Sequence, residues 1–221
     1  MSVLVIAPHA DDEVFGCGGT LARRAREGRE THVIVVSSGR VLRADATVKV
    51  DAARRREEFL EACRRLGVAS HEIWFEGYEN KLDTLPRVEL VSRLDRAFES
   101  RAWDEVFFPG PACHHDHEIV RACTVAALRQ RPGRRREHVA AEYEYPHATW
   151  AGGPADVGAW YVALGPDLET KLSALAAYAS QLAPDPHPLS AAGVRRLALL
   201  RGSDVGVDAA ERFRIFRRFD A

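Results

Sequence analysis

Hydrophobic residues along the chain follow two alternating patterns. Continuous apolar, β-branched runs, of which residues 3–7 and 32–37 are the clearest, are typical of strands buried on both faces of a parallel sheet. Longer stretches with apolar residues three or four positions apart predict helices, and the clearest covers residues 51–66 with Gly67 as its C-terminal cap. The glycine-rich run after the first strand predicts a loop, followed by a helix over residues 20–27.

The order of these elements predicts the fold class. Strands at 71–75, 105–108 and 139–145 alternate with helices over 85–100 and 115–131. This βαβ spacing predicts an α/β, Rossmann-like three-layer fold, in which a mostly parallel sheet is flanked by helices. Because the chain shows no internal repeat and no linker, residues 1–221 are expected to form a single domain.

The C-terminal third is harder to assign. Its pattern predicts a sixth strand at 160–164 and helices over 167–181 and 194–201. Apolar and basic residues alternate over 213–219, which is typical of a strand at the edge of a sheet.

Composition and charge exclude several classes of protein. The 221 residues are 46% hydrophobic and 29% charged, as in ordinary globular proteins, and the net charge of −1 gives no electrostatic reason to expect a nucleic-acid partner. No apolar run reaches the ~18–20 residues of a membrane span, and no basic leader precedes the first strand. The four cysteines form no C-x-x-C pair, so we expect no disulfide framework and a cytoplasmic protein.

The turn after the first predicted strand concentrates charge. From Pro8 to Glu13 it reads PHADDE, whereas a plain structural turn would tolerate a single acidic cap. Ligands of an open parallel sheet bind beyond the carboxyl ends of its strands, where this turn lies. Gly16, Gly18 and Gly19 follow the carboxylates rather than the strand itself, which argues against a dinucleotide-binding turn.

A second cluster follows the fourth predicted strand, at the start of a helix. His114 and His117 are three positions apart and share one helix face, which His115 does not. Both clusters are expected at the same edge of the sheet. Together they offer histidine and aspartate ligands for one divalent metal with an open position, as in catalytic zinc sites. The same ligand types can hold Fe²⁺, so the choice of metal stays open.

These clusters and two helix motifs together resemble the LmbE/PIG-L family of zinc-dependent N-deacetylases, which act on N-acetylglucosamine-type amides. The HADDE turn and the GCGG run after it are similar to the family's H-P-D-D-E and G-x-G-G motifs, with Ala10 in place of the usual proline. The HHDH run matches the family's H-x-D-H motif. The helix motifs comprise Arg55, Glu58, Ala62, Leu66 and Gly67, and then Lys171, Ala174, Leu175, Tyr178, Ser180 and Gln181.

The resemblance implies a role for each site residue. Asp11 is the expected general base on the metal-bound water, and His114 is expected to stabilise the oxyanion. Asp116 is expected to orient His114 and to raise its pKa, and Arg55 is expected to contact the substrate. The expected cofactor is Zn²⁺, with Fe²⁺ or another divalent metal open. The expected metal ligands are His9, Asp12 and His117.

Two features of the site stay open. Ala112 stands where relatives often carry a polar residue, so any hydroxyl donor to the oxyanion must come from elsewhere. Glu13 could bond a metal-ligand histidine or cap the following helix. The tyrosines that could supply the hydroxyl are Tyr143, Tyr145 and Tyr161.

The implied function is that of a hydrolase that removes the N-acetyl group from an N-acetylglucosamine-type amino sugar or sugar conjugate. Two alternatives stay open: an amidase acting on a larger sugar or thiol-conjugate amide, and a non-catalytic α/β sugar-binding protein with a vestigial metal site. The expected partner is a small-molecule amino sugar, with no nucleic acid and no membrane span, and self-association is left open. Specificity is expected in loops near residues 40–50, 145–159 and 184–193.

Overall fold

A computed structural model describes residues 1–39, 41–42, 48–77, 79–130, 137–146 and 158–219. The strands are β1 (Ser2–Ala7), β2 (Glu30–Ser38), β3 (Val41–Leu42), β4 (Val48–Val50), β5 (Ser70–Glu76), β6 (Glu105–Pro109), β7 (Val139–Tyr143), β8 (Ala159–Ala163) and β9 (Ala210–Arg218). The helices are α1 (Asp12–Arg26), α2 (Ala52–Leu66), α3 (Arg87–Ser100), α4 (His115–Ala127), α5 (Asp167–Leu175) and α6 (Ala191–Ser203), with a 3₁₀ turn at Leu82–Thr84.

A seven-stranded sheet has the order β5-β2-β1-β6-β7-β9-β8, while β3 and β4 pair separately. The strands from β5 to β7 are parallel, and β9 runs antiparallel to both of its neighbours. This arrangement confirms the predicted α/β fold. The chain first moves outward from β1 through β2 to β5 and then returns to β6 on the other side of β1. The strand order therefore reverses between β1 and β6. This reversal is the switch point of the sheet, where ligands of such sheets bind.

Each face of the sheet has its own hydrophobic core, because successive strand residues point to opposite faces. Val3 and Val5 pack with residues of α1, α2 and α5, whereas Leu4 and Ile6 pack with residues of α3 and α4. All four side chains are fully buried. The sheet is thus the middle of three layers, which explains the continuous apolar run of β1.

Helix α1 begins at Asp12, well before the predicted residue 20, and contains the glycines that predicted a loop. A Cβ atom on Gly16 would lie 2.2 Å from the ring of Tyr143, and one on Gly19 would lie 2.6 Å from the side chain of Leu164. These glycines let α1 approach the sheet closely, so the prediction of a loop was wrong.

The prediction of an edge strand at residues 213–219 is also wrong. Strand β9 lies between β7 and β8 and pairs with both. Phe213 enters the core, while Arg214 and Arg217 pair with the buried carboxylates of Glu142 and Glu137. Two basic residues of this strand therefore pair with buried carboxylates of neighbouring segments. Helix α5 is shorter than predicted and ends at Leu175.

Other expectations concern the whole chain. In the described ranges, no helix is both long enough and apolar enough to cross a bilayer. All four cysteines are free, in agreement with the prediction. Most of the proposed specificity loop at 145–159, and part of that at 40–50, lie outside the described residues.

Candidate metal and catalytic site

Helix α1 contains a kink that separates its first turns from the rest. The backbone of Cys17 is non-helical, with φ −148° and ψ 23°. Lys171 Nζ donates to the carbonyl oxygen of Phe15 before the kink at 2.9 Å, and Glu211 accepts from two backbone N–H groups after it at 2.9 and 2.7 Å. Lys171 also donates to Glu211 at 2.7 Å, and both are buried. This kink cluster, formed by Lys171, Glu211 and the backbone they bond, satisfies the groups that an interrupted helix leaves free.

The turn between β1 and α1 places three acidic side chains at the switch point. Asp11 has a φ of 134°, which is strained for any residue with a Cβ atom. One carboxylate oxygen of Glu13 accepts from the backbone N–H of Asp11 at 3.0 Å, and the other accepts from the hydroxyl of Tyr178. The contact with Asp11 corresponds to the helix-capping role considered for Glu13.

His9 and His117 both face the carboxylate of Asp12. Asp12 Oδ2 lies 3.2 Å from His117 Nε2 and 3.5 Å from His9 Nδ1. The same oxygen accepts from the backbone N–H of His9 at 2.9 Å. All three residues are buried. The two motifs thus meet between the carboxyl ends of β1 and β6.

The carboxylate of Asp116 contacts His9, not His114 as expected. Its Oδ2 lies 2.8 Å from His9 Nε2, and its two oxygens also accept from the backbone N–H groups of Asn80 and Leu82 at 2.8 and 3.1 Å. Asp116 reaches His114 through its backbone N–H, at 3.2 Å, because His114 caps the first turn of α4. A carboxylate at His9 Nε2 holds a proton there and leaves Nδ1 available to a metal.

His114 is held in one tautomer by two neighbours. Its Nδ1 accepts from the backbone N–H of Asp116, and its Nε2 lies 2.7 Å from Asn80 Oδ1. Since a backbone N–H can only donate, Nδ1 carries no proton and Nε2–H donates to Asn80. Burial, with the charges of His9 and His117, lowers the pKa of His114 to about 4. The charge of Asp116 acts to raise the pKa of His114, as expected, but burial and the two neighbouring histidines outweigh it.

The two adjacent aspartates differ in their electrostatics. Burial raises the pKa of Asp11 well above its usual range, although Arg55, with Nη1 3.7 Å from Asp11 Oδ2, opposes the rise. Burial also acts to raise the pKa of Asp12, but His117 and His9 hold it well below its usual range. Asp12 therefore stays ionised, as a metal ligand must, while Asp11 has the raised pKa typical of a general base.

Arg55 lies beside this turn and is only 1% exposed. Its Nη2 donates to Glu79 Oε1 at 2.9 Å, while Nε and Nη1 are buried without a hydrogen-bond partner among the described residues. Unmet guanidinium donors can bond a substrate oxygen. The expected contact between Arg55 and the substrate stays a prediction.

The two helix motifs meet next to the acidic turn. Glu58 accepts from the backbone N–H and the hydroxyl of Ser180, at 3.1 and 2.5 Å. Tyr178, two residues earlier, is the residue that bonds Glu13. These motifs therefore fix α2 and the segment after α5 to the turn that carries Asp11.

The structure distinguishes the three tyrosines considered as hydroxyl donors. Tyr143 donates to a carbonyl oxygen of β1 at 3.1 Å, and Tyr161 donates to an aspartate at the end of α6 at 3.4 Å. Tyr145 meets His117 edge-on, with ring centroids 4.9 Å apart, and burial, together with the charge of Asp12, raises the pKa of Tyr145. Tyr145 is therefore the tyrosine that lies at the site.

The buried donors fit a divalent cation. Ring nitrogens of His9, His114 and His117 lie within 4.8 Å of one another. Both nitrogens of His114 are already bonded, whereas Asp12 Oδ1 and His117 Nδ1 are buried without a hydrogen-bond partner in the described ranges. The chemistry of the site thus favours His9, Asp12 and His117 over three histidines. Burial opposes charge on His9, but Asp116 and Asp12 raise its pKa to about 10, and the carboxylates that hold this proton would also favour a metal cation.

Glu79 and Asn80 belong to the site but were not singled out from the sequence. They follow β5, in a turn where Asn80 has a φ of 60°, which asparagine tolerates better than most residues. The available signal was their position, because β5 ends at the same edge of the sheet as β1 and β6.

Comparison with known families agrees with this site. The family model described as PIG-L, GlcNAc-PI de-N-acetylase, matches residues 4–128, which is more than half of the chain and includes both motif clusters. The chain belongs to the PIG-L family. The match begins in β1 and ends after α4, so it spans the strands that form the switch point.

Individual relatives extend the comparison for this PIG-L member. The 2'-N-acetylparomamine deacetylase of Streptomyces fradiae is 28% identical over 145 residues, covering 57% of this chain. The alignment covers 51% of that protein, so the chain spans about half the length of the curated relative it matches. The solved N,N'-diacetylchitobiose deacetylase of Pyrococcus horikoshii has a TM-score of 0.77 and 25% identity, covering 97% of this chain and 83% of that chain.

The same fold also carries a different reaction. GalB, the 4-carboxy-2-hydroxymuconate hydratase of Pseudomonas putida KT2440, has a TM-score of 0.76 and 19% identity, covering 100% of this chain and 98% of that chain. This likeness concerns the fold alone. The function of this PIG-L member must therefore be argued from its site residues.

Proposed function

We propose that this PIG-L family member hydrolyses the N-acetyl group of an amino sugar or sugar conjugate, releasing acetate and a free amine. The observation that carries the proposal is the Asp12 carboxylate between His9 and His117, with Asp11 and His114 beside it. Two of the deacetylases similar to this chain, those for 2'-N-acetylparomamine and N,N'-diacetylchitobiose, are named for N-acetylated amino sugars, which supports the substrate class.

His9, Asp12 and His117 would hold a divalent metal, with Zn²⁺ as the first candidate and Fe²⁺ as the second. When bound, such a metal supplies a Lewis acid that polarises an amide carbonyl and makes water more acidic. The bond from Asp116 to His9 Nε2 would orient that ligand.

The remaining residues would handle protons and charge. The Asp11 carboxylate would accept a proton as water attacks the amide carbon, and its raised pKa suits a base that works near neutral pH. His114 would donate its Nε2–H to the developing oxyanion. When the C–N bond breaks, the amine would leave with the proton returned by Asp11, because His114 is neutral and has no acidic proton to give. The acetyl group would leave as acetate.

Metal content tests the ligand assignment. Plasma mass spectrometry of the wild type and of His138→Ala, an exposed control, should find about one zinc per chain, as in a mononuclear catalytic site. His9→Ala should hold little. A wild-type protein that takes up no metal after incubation with zinc would show that the ligands do not converge as proposed.

A substrate panel tests the reaction. The metal-loaded protein is incubated with N-acetylated mono- and disaccharides and with sugar conjugates that carry larger acyl groups, and acetate and free amine are measured. Equimolar acetate and amine support the proposal. Free amine without acetate points to the larger-amide alternative, and tight binding without turnover points to a binding protein.

A further inference from the structure

We propose that Asn80 is a positioning residue, which holds His114 as its Nε2–H tautomer and joins it to the Asp116–His9 pair. The structural part of this inference stands on contacts of the chain itself. Its catalytic consequence rests on the proposed function.

Asn80 contacts both motif clusters from a third element. Its side-chain Oδ1 lies 2.7 Å from His114 Nε2. Its backbone N–H donates at 2.8 Å to Asp116 Oδ2, the oxygen that also lies 2.8 Å from His9 Nε2. Asn80, in the turn after β5, thus bonds His114, the expected oxyanion donor, and is linked through Asp116 to His9, an expected metal ligand.

The backbone conformation does not by itself require asparagine at this position. A φ of 60° suits glycine at least as well, and glycine would keep the backbone bond to Asp116. Glycine would, however, leave His114 Nε2 without its acceptor. The side chain of Asn80 therefore contributes a contact to His114 that the turn itself does not need.

Bonds at opposite nitrogens fix both the orientation and the proton of the His114 ring. Asp116 N–H occupies Nδ1, and Asn80 Oδ1 accepts from Nε2–H, so His114 has no free nitrogen to offer a metal. The acceptor is a carboxamide oxygen, the same kind of group as the acetamide oxygen of the proposed substrate. A substrate could therefore take over the Nε2–H bond in exchange for a bond of similar strength.

Nitrogen-15 NMR of the histidine rings tests the structural part without any turnover. The zinc-loaded protein is labelled at its nine histidines, and His114→Gln assigns the His114 signals. The wild type should show a non-protonated Nδ1 and a protonated Nε2. In Asn80→Gly the ring loses one of its two anchors and can turn away from the Asp116 N–H, so this variant should show mixed tautomers. Asn80→Asp, which keeps an acceptor oxygen, and Lys81→Ala, an exposed control in the same turn, should keep the wild-type signals.

Kinetics on the same variants test the consequence. Asn80→Gly should lower kcat about 10-fold with little change in KM, a loss typical of outer-shell partners. Asn80→Asp should recover part of this loss, and Lys81→Ala should resemble the wild type. A single Nε2–H tautomer retained in Asn80→Gly, or a rise in its kcat, would overturn the inference. Absence of turnover in the wild type would count against the proposed function and would leave the NMR result unaffected.

Discussion

Two buried groups of charged residues flank the first turns of α1, and they differ in how completely their atoms are bonded. In the kink cluster, Lys171 Nζ donates to two acceptors, and the Glu211 carboxylate accepts from Lys171 and from two backbone N–H groups. At the switch point, four buried atoms have no hydrogen-bond partner among the described residues: Asp12 Oδ1, His117 Nδ1, and Nε and Nη1 of Arg55. Asp11 is strained as well.

This difference distinguishes buried charged residues that stabilise the fold from those that act in binding or catalysis. A buried ion pair whose atoms are all hydrogen-bonded can have a purely structural role. Unpaired buried atoms and strained backbone cost folding free energy and tend to persist at sites of binding or catalysis. The kink cluster should therefore matter chiefly for stability, and the switch-point residues chiefly for activity.

The largest expected effect is on catalysis. Asp11→Asn should lower kcat by about 10²–10⁴-fold, the usual contribution of general acid–base catalysis. Its metal content should be unchanged, and its melting temperature should not fall, because the amide removes a buried charge. Acetate release under zinc saturation measures the first effect, with the exposed Asp83→Asn as control. A near wild-type rate for Asp11→Asn would refute the assignment of the base.

The next effect is on stability. Lys171→Met should lower the free energy of unfolding by about 3–5 kcal/mol, because it removes the only cation bonded to the buried Glu211 carboxylate among the described residues and the Lys171 bond to the Phe15 carbonyl. Urea unfolding measures this loss, and Lys81→Met, on the exposed turn after β5, should change little. The distinction between the two groups would be lost if Lys171→Met lowered the free energy of unfolding as little as the control does. It would also be lost if Lys171→Met lowered kcat more strongly than it lowered stability, both expressed as free energies.

Zinc should stabilise the folded protein through the switch-point residues. At a free zinc concentration of about 100 times Kd, binding should add about 2.7 kcal/mol to the free energy of unfolding. The rise in melting temperature should vanish in His117→Ala and persist in Lys171→Met. An equal rise in the wild type and His117→Ala would place the bound zinc elsewhere.

The smallest effect concerns packing beside the site. Gly16→Ala should lower the free energy of unfolding by about 1–3 kcal/mol, because its Cβ would lie 2.2 Å from the Tyr143 ring. Gly18→Ala is the matched control, with its nearest neighbour, a methyl group of Val14, 3.1 Å away. Chemical denaturation of both variants should show the larger loss for Gly16→Ala. A reversed order would contradict the close approach of α1 to β7.

Much of the fold follows from local pattern. The apolar runs predict the strands around β1, and the cap at Gly67 is confirmed by its left-handed φ of 72°. Two errors share one cause, which is that packing between distant segments overrode local preference. The glycines of α1 meet Tyr143 and Leu164, and the arginines of β9 meet buried carboxylates far away in the chain.

The site shows the same contrast between what local pattern predicts and what contacts between distant segments decide. Residue types and strand order were enough to identify His9, Asp11, Asp12, His114, Asp116 and His117 as candidates and to expect them at one edge of the sheet. Which of these residues contact one another could not be predicted from the chain order, because the contacts depend on where side chains from separate elements meet. The fold assigns Asp116 to His9 and brings Asn80 to His114. It also lowers the pKa of Asp12 while raising that of the adjacent Asp11. Periodicity is a property of neighbours along the chain, whereas hydrogen bonds and electrostatic fields join residues that only folding brings together.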